Sequence, residues 1–599
     1  MKAKTLTVAA AALILILSAG AEAQNQNPSE ALERLFEEYF ELSLELNPLQ
    51  ATFLGDPRYN DRLTNNISPE HLARVLEIDR RFLERARAFE KQPLSAGERL
   101  SLEVFMHDLE ASIEGAAFPN EQLPISQFFS LATLMPVLGS GTNAQPFATA
   151  EDYDKFLKRM RDYIVWSDQA ITNMRLGLKN GVTYPRAVME KVLPQLAEIV
   201  ATNPEDSHFY QPLENFPSSV PESERQRLRE AYREAIVKEI NPAYRRLHDF
   251  IRDEYLEGAR TEVGWSALPR GREWYAYFVR LYTTTDLSPD AIHEIGLKEV
   301  ARIRGEMEQV KAQVGFQGDL AAFFEHLKTD PRFYYTDEAS LLEGYRELKR
   351  KIDARLPKLF GRFPKADYEV RAVEPFRAQS SAGAFYQPPS ADGSRPGIFY
   401  VNTFNLKAQP KFGMETLSLH EAAPGHHFQV AIQQELEELP RFRRFGPGYV
   451  AFQEGWGLYA ESIGKELGLF TDPYQYYGRL SDEMLRAMRL VVDTGLHTRN
   501  WTREQAIRYM LENSSMAPSD AEAEVERYIV IPGQALGYKI GQLRLSEIRK
   551  KAEAELGKAF DARAFHDEVL RDGALPLQVL EHKIDRWIEA RRSSAKETH

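Results

Sequence analysis

Thr416–Phe428 reads T-L-S-L-H-E-A-A-P-G-H-H-F, and its three histidines and one glutamate decide how the rest of the chain is read. A zinc hydrolase needs three protein ligands, an open position for water and a base beside that water. The common helical solution, H-E-x-x-H, sets two histidines one turn apart on one face. Here His420 is followed six and seven residues later by His426 and His427. On a straight helix the seven-residue pair returns to the same face about 10.5 Å along the axis. That is too far for two rings that must each approach one metal to about 2.0–2.1 Å. Pro424-Gly425 lies between them. Proline removes a backbone donor and clashes with the preceding turn, and glycine takes backbone angles closed to other residues. A local bulge is therefore expected, bringing a second imidazole beside His420. Either His426 or His427 would be that ligand, and the other would support it or face substrate. Glu421 would be the base.

The third ligand should come from a neighbouring helix. Gln453–Glu461 reads Q-E-G-W-G-L-Y-A-E, with Glu454 and Glu461 seven apart on one helical face. The segment is apolar, so carboxylates on its buried side need partners. Glu454 is taken as the third ligand and Glu461 as the carboxylate that orients a ligand histidine; the competing reading makes both solvated surface residues. Further on, R-A-M-R-L-V-V-D-T-G-L-H carries Arg486, Arg489, Asp493 and His497. Asp493 and His497, like Arg489 and Asp493, stand one helical turn apart and can pair. An arginine here could hold a substrate carboxylate through two bonds, or the group could be a structural ion-pair network. Ile531–Gly541, I-P-G-Q-A-L-G-Y-K-I-G, supplies Tyr538 as a candidate oxyanion donor and Gln534 as a candidate substrate contact.

Outward from this centre the pattern is helical. Leu32, Leu35, Phe36, Tyr39, Leu42 and Leu46 recur at helical spacing until Asn47-Pro48. Helices are expected over Pro69 to about Gly115, Ala150–Asn180, Pro185–Ala201 and Glu222–Gly258. Ser288-Pro289 opens another, in which His293-Glu294 reads as a surface pair. Phe118–Phe147, broken by four prolines, is expected to be a long loop with one helical turn, covering a cleft. The period changes only at Tyr368–Val373, Ala384–Tyr386 and Ile398–Val401, which read as strands, the last two joined by the loop Pro388–Gly397. The fold class is mainly α, with a deep cleft and one small sheet just before the metal-binding helix. The segment 24–360 would form mostly cleft wall and cover, and 361–599 the sheet and metal-site helices, within one domain.

Of 599 residues, 43% are hydrophobic and 27% charged, as in ordinary soluble globular proteins. A net charge of −13 argues against general nucleic-acid binding. Lys2 and Lys4, the apolar run Val8–Leu17 and Ala21-Glu22-Ala23 make a secretory signal peptide, cut near Ala23. The mature chain is expected to be periplasmic or secreted and free of the membrane. The chain has no cysteine, which excludes disulfides, cysteine nucleophiles and a lipid-modified N-terminal cysteine.

H-E-A-A-P-G-H-H, Q-E-G-W-G-L-Y-A-E, R-L-V-V-D-T-G-L-H and P-G-Q-A-L-G-Y-K-I-G together resemble a bacterial family of exported proteins of unknown function. Its usual pattern is H-E-x-x-P-G-H-H followed by E-G-W-x-x-Y-x-E. Asp392–Asn402 and Leu54–Asn60 (L-G-D-P-R-Y-N) resemble it as well. More distantly the arrangement is similar to helical gluzincin peptidases of the thimet-oligopeptidase and Taq-carboxypeptidase kind. That resemblance implies a ligand glutamate with another seven residues on, matched by Glu454 and Glu461, and a late oxyanion tyrosine, matched by Tyr538. It also implies a strand that pairs with the peptide backbone, matched by Ile398–Asn402 with Phe399, Tyr400 and Val401. The histidine spacing departs from those peptidases.

The reading that results is an exported metallopeptidase of short peptides, holding one zinc per chain. Glu421 acts as base, and Tyr538 with His497 stabilises the oxyanion. A peptide-binding protein on a peptidase scaffold and a zinc hydrolase of a non-peptide amide or ester are the alternatives.

Overall fold

Apolar residues at helical spacing bury one face of nearly every segment in which they were read. The structure, a computed structural model, describes residues 27–597 apart from 375–377, 379–381, 391–394 and 447. The leader 1–23 lies outside the described residues. α1 (Pro28–Leu46) starts where the Asn27 side chain accepts a bond from Ser29 N and buries Leu32, Leu35, Phe36, Phe40 and Leu44. α2 (Pro69–Arg87), α3 (Ala96–Gly115) and α4 (Ala150–Asn180) follow. α4 begins in a reciprocal Thr149/Asp152 cap and ends at Gly181, whose φ of 72° closes the helix. Next come α5 (Gly271–Thr283) and α6 (Pro289–Gln313), the latter capped by Ser288.

Two expectations fail here for the same reason, burial. The segment 118–147 contains a helix, Leu131–Gly139, longer than the single turn expected, whose Ala132, Met135 and Leu138 are wholly buried, so this part is packed into the core. His293 of α6 is buried as well. Its Nδ1 meets Thr494 Oγ1 at 2.8 Å, so it is a core residue and not a surface one.

The three strands are β1 (Tyr368–Ala372), β2 (Ala384–Gln387) and β3 (Gly397–Val401), in the order β1-β3-β2. β3 pairs parallel with β1 (Tyr368 opposite Gly397) and antiparallel with β2 (Phe385 opposite Tyr400). Every position of β3 is buried. Beyond the sheet lie α7 (Met414–Glu421), α8 (His426–Gln434), α9 (Val450–Ser462), α10 (Pro473–Thr498) and α11 (Leu536–Leu556). Two large apolar cores organise these helices. One joins α4, α5 and α6 to α10, and the other joins the sheet, α7, α8, α9 and the C-terminal helices. α11 belongs to both, through Ile540 in the first and Leu545 in the second.

Candidate metal centre

The histidine stretch folds as two helices with a break. α7 ends at Glu421 and α8 begins at His426. The Ala423–Pro424 peptide is cis, and a Cβ on Gly425 would collide with the carbonyls of His420 and Leu419. Only glycine fits there. The Trp456 indole on α9 donates to Pro424 O at 2.8 Å and pins the break to the next helix. Gly457 leaves room for the first ring, since a Cβ there would lie 2.8 Å from His420 Cε1. The E-G-W-G run carries both residues in the sequence.

The break brings His420 and His426 together, with ring centroids 4.8 Å apart. Glu454 Oε2 lies 3.4 Å from His420 Nε2 and 3.5 Å from His426 Nε2. Donors held tetrahedrally at about 2.0–2.1 Å from one zinc are separated by roughly 3.3–3.4 Å, so the three atoms have the spacing such an ion requires. On the far side of the ring, His420 Nδ1 meets Glu461 Oε1 at 2.8 Å. That bond fixes the tautomer with Nε2 turned to the site. A carboxylate oxygen of Glu421 lies within 4.8 Å of a ring nitrogen of each of the two histidines. Burial opposes charge on His420, yet Glu454 and Glu461 raise its pKa to about 10. Burial likewise pushes the Glu454 carboxyl up, but His420 and His426 hold it well below the usual range. Several carboxylates gathered on two imidazoles make a site that favours positive charge, which a divalent cation supplies. The donor set and its spacing therefore fit zinc.

His427 is not a ligand. One residue further round α8, it points to the sheet. Tyr386 of β2 bonds its Nδ1 at 2.8 Å, Tyr368 of β1 packs on the ring at 4.8 Å, and burial lowers its pKa to about 4.

His497 is also corrected. Its Nδ1 accepts from Trp265 N at 3.1 Å and its Nε2 meets Tyr528 O at 3.0 Å, so neither nitrogen is left for an oxyanion. Asp493 neither bonds His497 nor orients a metal ligand. It accepts from Tyr275 Oη at 2.6 Å and from Gly533 N at 3.1 Å, and so holds the Ile531–Gly533 turn.

Arg489 pairs with Glu524 at 3.0 Å, and its guanidinium lies 4.5 Å from the centre of the Tyr538 ring. It props that tyrosine, and its buried Nη1 has no partner. Gln534 accepts from Arg527 at 3.0 Å. β3 cannot pair with a peptide, because both of its edges are used, and Phe399, Tyr400 and Val401 are buried. The outer edges of the sheet are those of β1 and β2.

Tyr538 feels the charge of Glu454, and Arg486 that of Glu461. Burial first, and the Glu454 charge second, raise the Tyr538 pKa and keep its hydroxyl a donor. Arg486 meets Asp482 at 3.2 Å, and its buried Nε has no partner. Asp482 was missed in the sequence. Burial lifts its pKa to about 6, with Arg486 lowering it and Glu461 raising it. It lies one turn before Arg486, which was the available signal.

The family described as "Bacterial protein of unknown function (DUF885)" matches residues 48–584. The chain belongs to this family. Among solved structures, the chain is similar to a candidate lipoprotein from Colwellia psychrerythraea. That match has 30% identity and a TM-score of 0.85, covering 94% of this chain and 100% of that one. A candidate lipoprotein of unknown function from Shewanella oneidensis is similar at 17% identity and a TM-score of 0.75, covering 92% and 99%. A candidate oligoendopeptidase F from Bacillus anthracis str. Ames aligns at 13% identity over 86% and 96%, but a TM-score of 0.26 carries no argument. No curated protein matches.

Proposed function

We propose that this DUF885 chain is an exported zinc metallopeptidase that hydrolyses short peptides. The observation that carries the reading is the meeting of His420 Nε2, His426 Nε2 and Glu454 Oε2 at 3.4 and 3.5 Å, with Glu421 alongside. Zinc, when bound, supplies a Lewis acid for the scissile carbonyl and acidifies the attacking water. Glu421 takes the proton of that water and passes it to the leaving amine. Glu461 keeps His420 in the ligating tautomer. Tyr538 donates to the developing oxyanion, with its ring held by Arg489. The peptide backbone would add to the edge of β2, the role first given to β3.

Export is favoured by the basic, apolar and small-residue leader and by relatives described as candidate lipoproteins. With no cysteine in the chain, lipid attachment at that residue is unavailable. Among the described residues no helix is long and apolar enough to cross a membrane.

The test is elemental analysis of the purified chain beside His420→Ala and Glu421→Gln, followed by a peptide library read by mass spectrometry. About one zinc per wild-type chain is expected, none in His420→Ala, and zinc without turnover in Glu421→Gln. Absence of zinc from the wild type after zinc is offered would refute the mechanism and favour a peptide-binding role. Zinc with cleavage only of non-peptide amides or esters would replace the substrate class.

A further inference from the structure

Three arginines act on Tyr538, and each keeps a buried nitrogen without a partner: Nε of Arg486, Nη1 of Arg489 and Nε of Arg527. Arg489 and Arg527 share one oxygen of Glu524, at 3.0 and 3.2 Å. Arg489 also lies 4.5 Å from the centre of the Tyr538 ring, and Arg527 bonds Gln534 at 3.0 Å. Arg486 is the least engaged of the three. Its bonds leave from Nη1 alone, to the Asp482 carbonyl and to an Asp482 carboxylate oxygen, each at 3.2 Å. Among the described residues its Nε and Nη2 bond nothing. Glu461 also acts on Arg486, but its Oε1 is spent on His420 Nδ1 at 2.8 Å. The Arg486 side chain is 13% exposed although protein surrounds it, so it opens on an enclosed space. A buried N–H without an acceptor is costly, and a carboxylate is the acceptor whose shape fits a guanidinium fork.

This stretch of α10 runs past the metal centre. α10 packs on α7, which carries His420, and on α11, which carries Tyr538. Where α10 meets the chain entering α7, a Cβ on Gly478 would lie 3.1 Å from Gly413 Cα and closer still to Phe412 O. From that contact α10 advances about 12 Å to Arg486, and the other chain about 10.5 Å to His420. The charges agree with this course. Asp482 answers to His420 and Glu461, and Arg486 to Glu461 and Tyr538. Asp482, Arg486 and Arg489 recur at helical spacing on one face of α10. That face leads from the His420–Glu461 pair to Tyr538, with Arg486 between them. The Glu454 side chain has the same half-open setting, 24% exposed although protein surrounds it.

We infer that Arg486, with the further positive charge of Arg489 and Arg527, binds a carboxylate of the substrate, and that this carboxylate is the free C-terminus of a short peptide. The inference rests on the peptidase reading and gives that site an end preference, with cleavage releasing a short C-terminal fragment. An acidic side chain offers the same chemistry, and the experiment separates the two sources.

Full-length Glu421→Gln, loaded with zinc, is titrated with an N-acetylated alanine tetrapeptide whose C-terminus is free or amidated. The free acid is expected to bind about tenfold more tightly. Adding Arg486→Gln should erase the difference and leave the affinity for the amide in place, which also shows that the variant folds. Adding Arg486→Lys instead should restore part of the preference, because the charge returns without the fork. The same titrations without zinc separate the arginine from the metal. A preference that survives Arg486→Gln and disappears with the zinc belongs to a carboxylate on the ion and overturns the inference. Equal binding of acid and amide by the zinc-loaded protein overturns it as well. Recovery of affinity by an amidated peptide bearing glutamate at its last position would support the subsite and assign it to side chains too. A wild type that cleaves neither peptide, with the binding preference intact, would refute the peptidase reading and retain the carboxylate subsite.

Discussion

Two clusters in this chain carry the same kinds of side chain and have opposite fates. Around His420, two imidazoles and a carboxylate leave their donor atoms aimed at one point, 3.4 and 3.5 Å across. Around His497, an imidazole, an aspartate, an arginine and two tyrosines spend theirs on Trp265 N, Tyr528 O, Gly533 N and Glu524. Residue type does not separate the two, since both are charged, buried and helical. What separates them is convergence: the donor atoms around His420 meet at one point, whereas those around His497 pair outward with separate partners, apart from the unpartnered Nη1 of Arg489.

The contrast can be broken by mutation, starting with the largest effect. Glu421→Gln should lower peptide turnover by about 10²–10⁴-fold with zinc content unchanged, as read by single-turnover kinetics beside elemental analysis. Tyr538→Phe should cost about 10²-fold in kcat, again with zinc retained; an unchanged kcat would remove the tyrosine from the reaction. The adjacent histidines give the cleanest comparison. His426→Ala should lose zinc with little change in the apo-protein Tm, whereas His427→Ala should keep zinc and lose about 1–3 kcal/mol of stability with the Tyr386 bond. Zinc loss in both would merge the two environments that the geometry separates. Glu461→Gln should weaken zinc by about 10–100-fold, as measured by competition with a chromophoric chelator.

The smallest effect is graded by pH. Burial lowers the pKa of His497 and of His566 to about 3. A depressed histidine contributes stability in full above its unfolded pKa of about 6.5 and loses it as pH falls toward the folded value. Between those limits each should cost about 1.4 kcal/mol per pH unit. Urea melts at descending pH should steepen below about 6.5, and less so for His497→Gln.

Much of this was legible beforehand. The apolar period placed α1 and α4, and the prolines and glycines marked their ends. Change of period found the three strands, and the seven-residue spacing of Glu454 and Glu461 put one at the donor point and the other behind His420. The misses share a cause. Helical phase is lost across a break, so nothing local told His426 from His427. Strand order depends on a crossover between 372 and 384, so the central position of β3 was hidden. The partners that consume His497 come from Trp265 and Tyr528, the first of them more than two hundred residues away in sequence.

The crossing of α9 and α11 bears on how such a chain can change over time. A Cβ on Gly455 would lie 2.5 Å from Gly541 Cα, so the two helices touch main chain to main chain. A spacing set by two backbones does not answer to side-chain volume. Substitutions can therefore accumulate through the surrounding core while the span from Glu454 to Tyr538 stays fixed. One added methyl at the crossing would push that span open, so the distance between the two candidate site residues depends on a side chain being absent at Gly455 and Gly541.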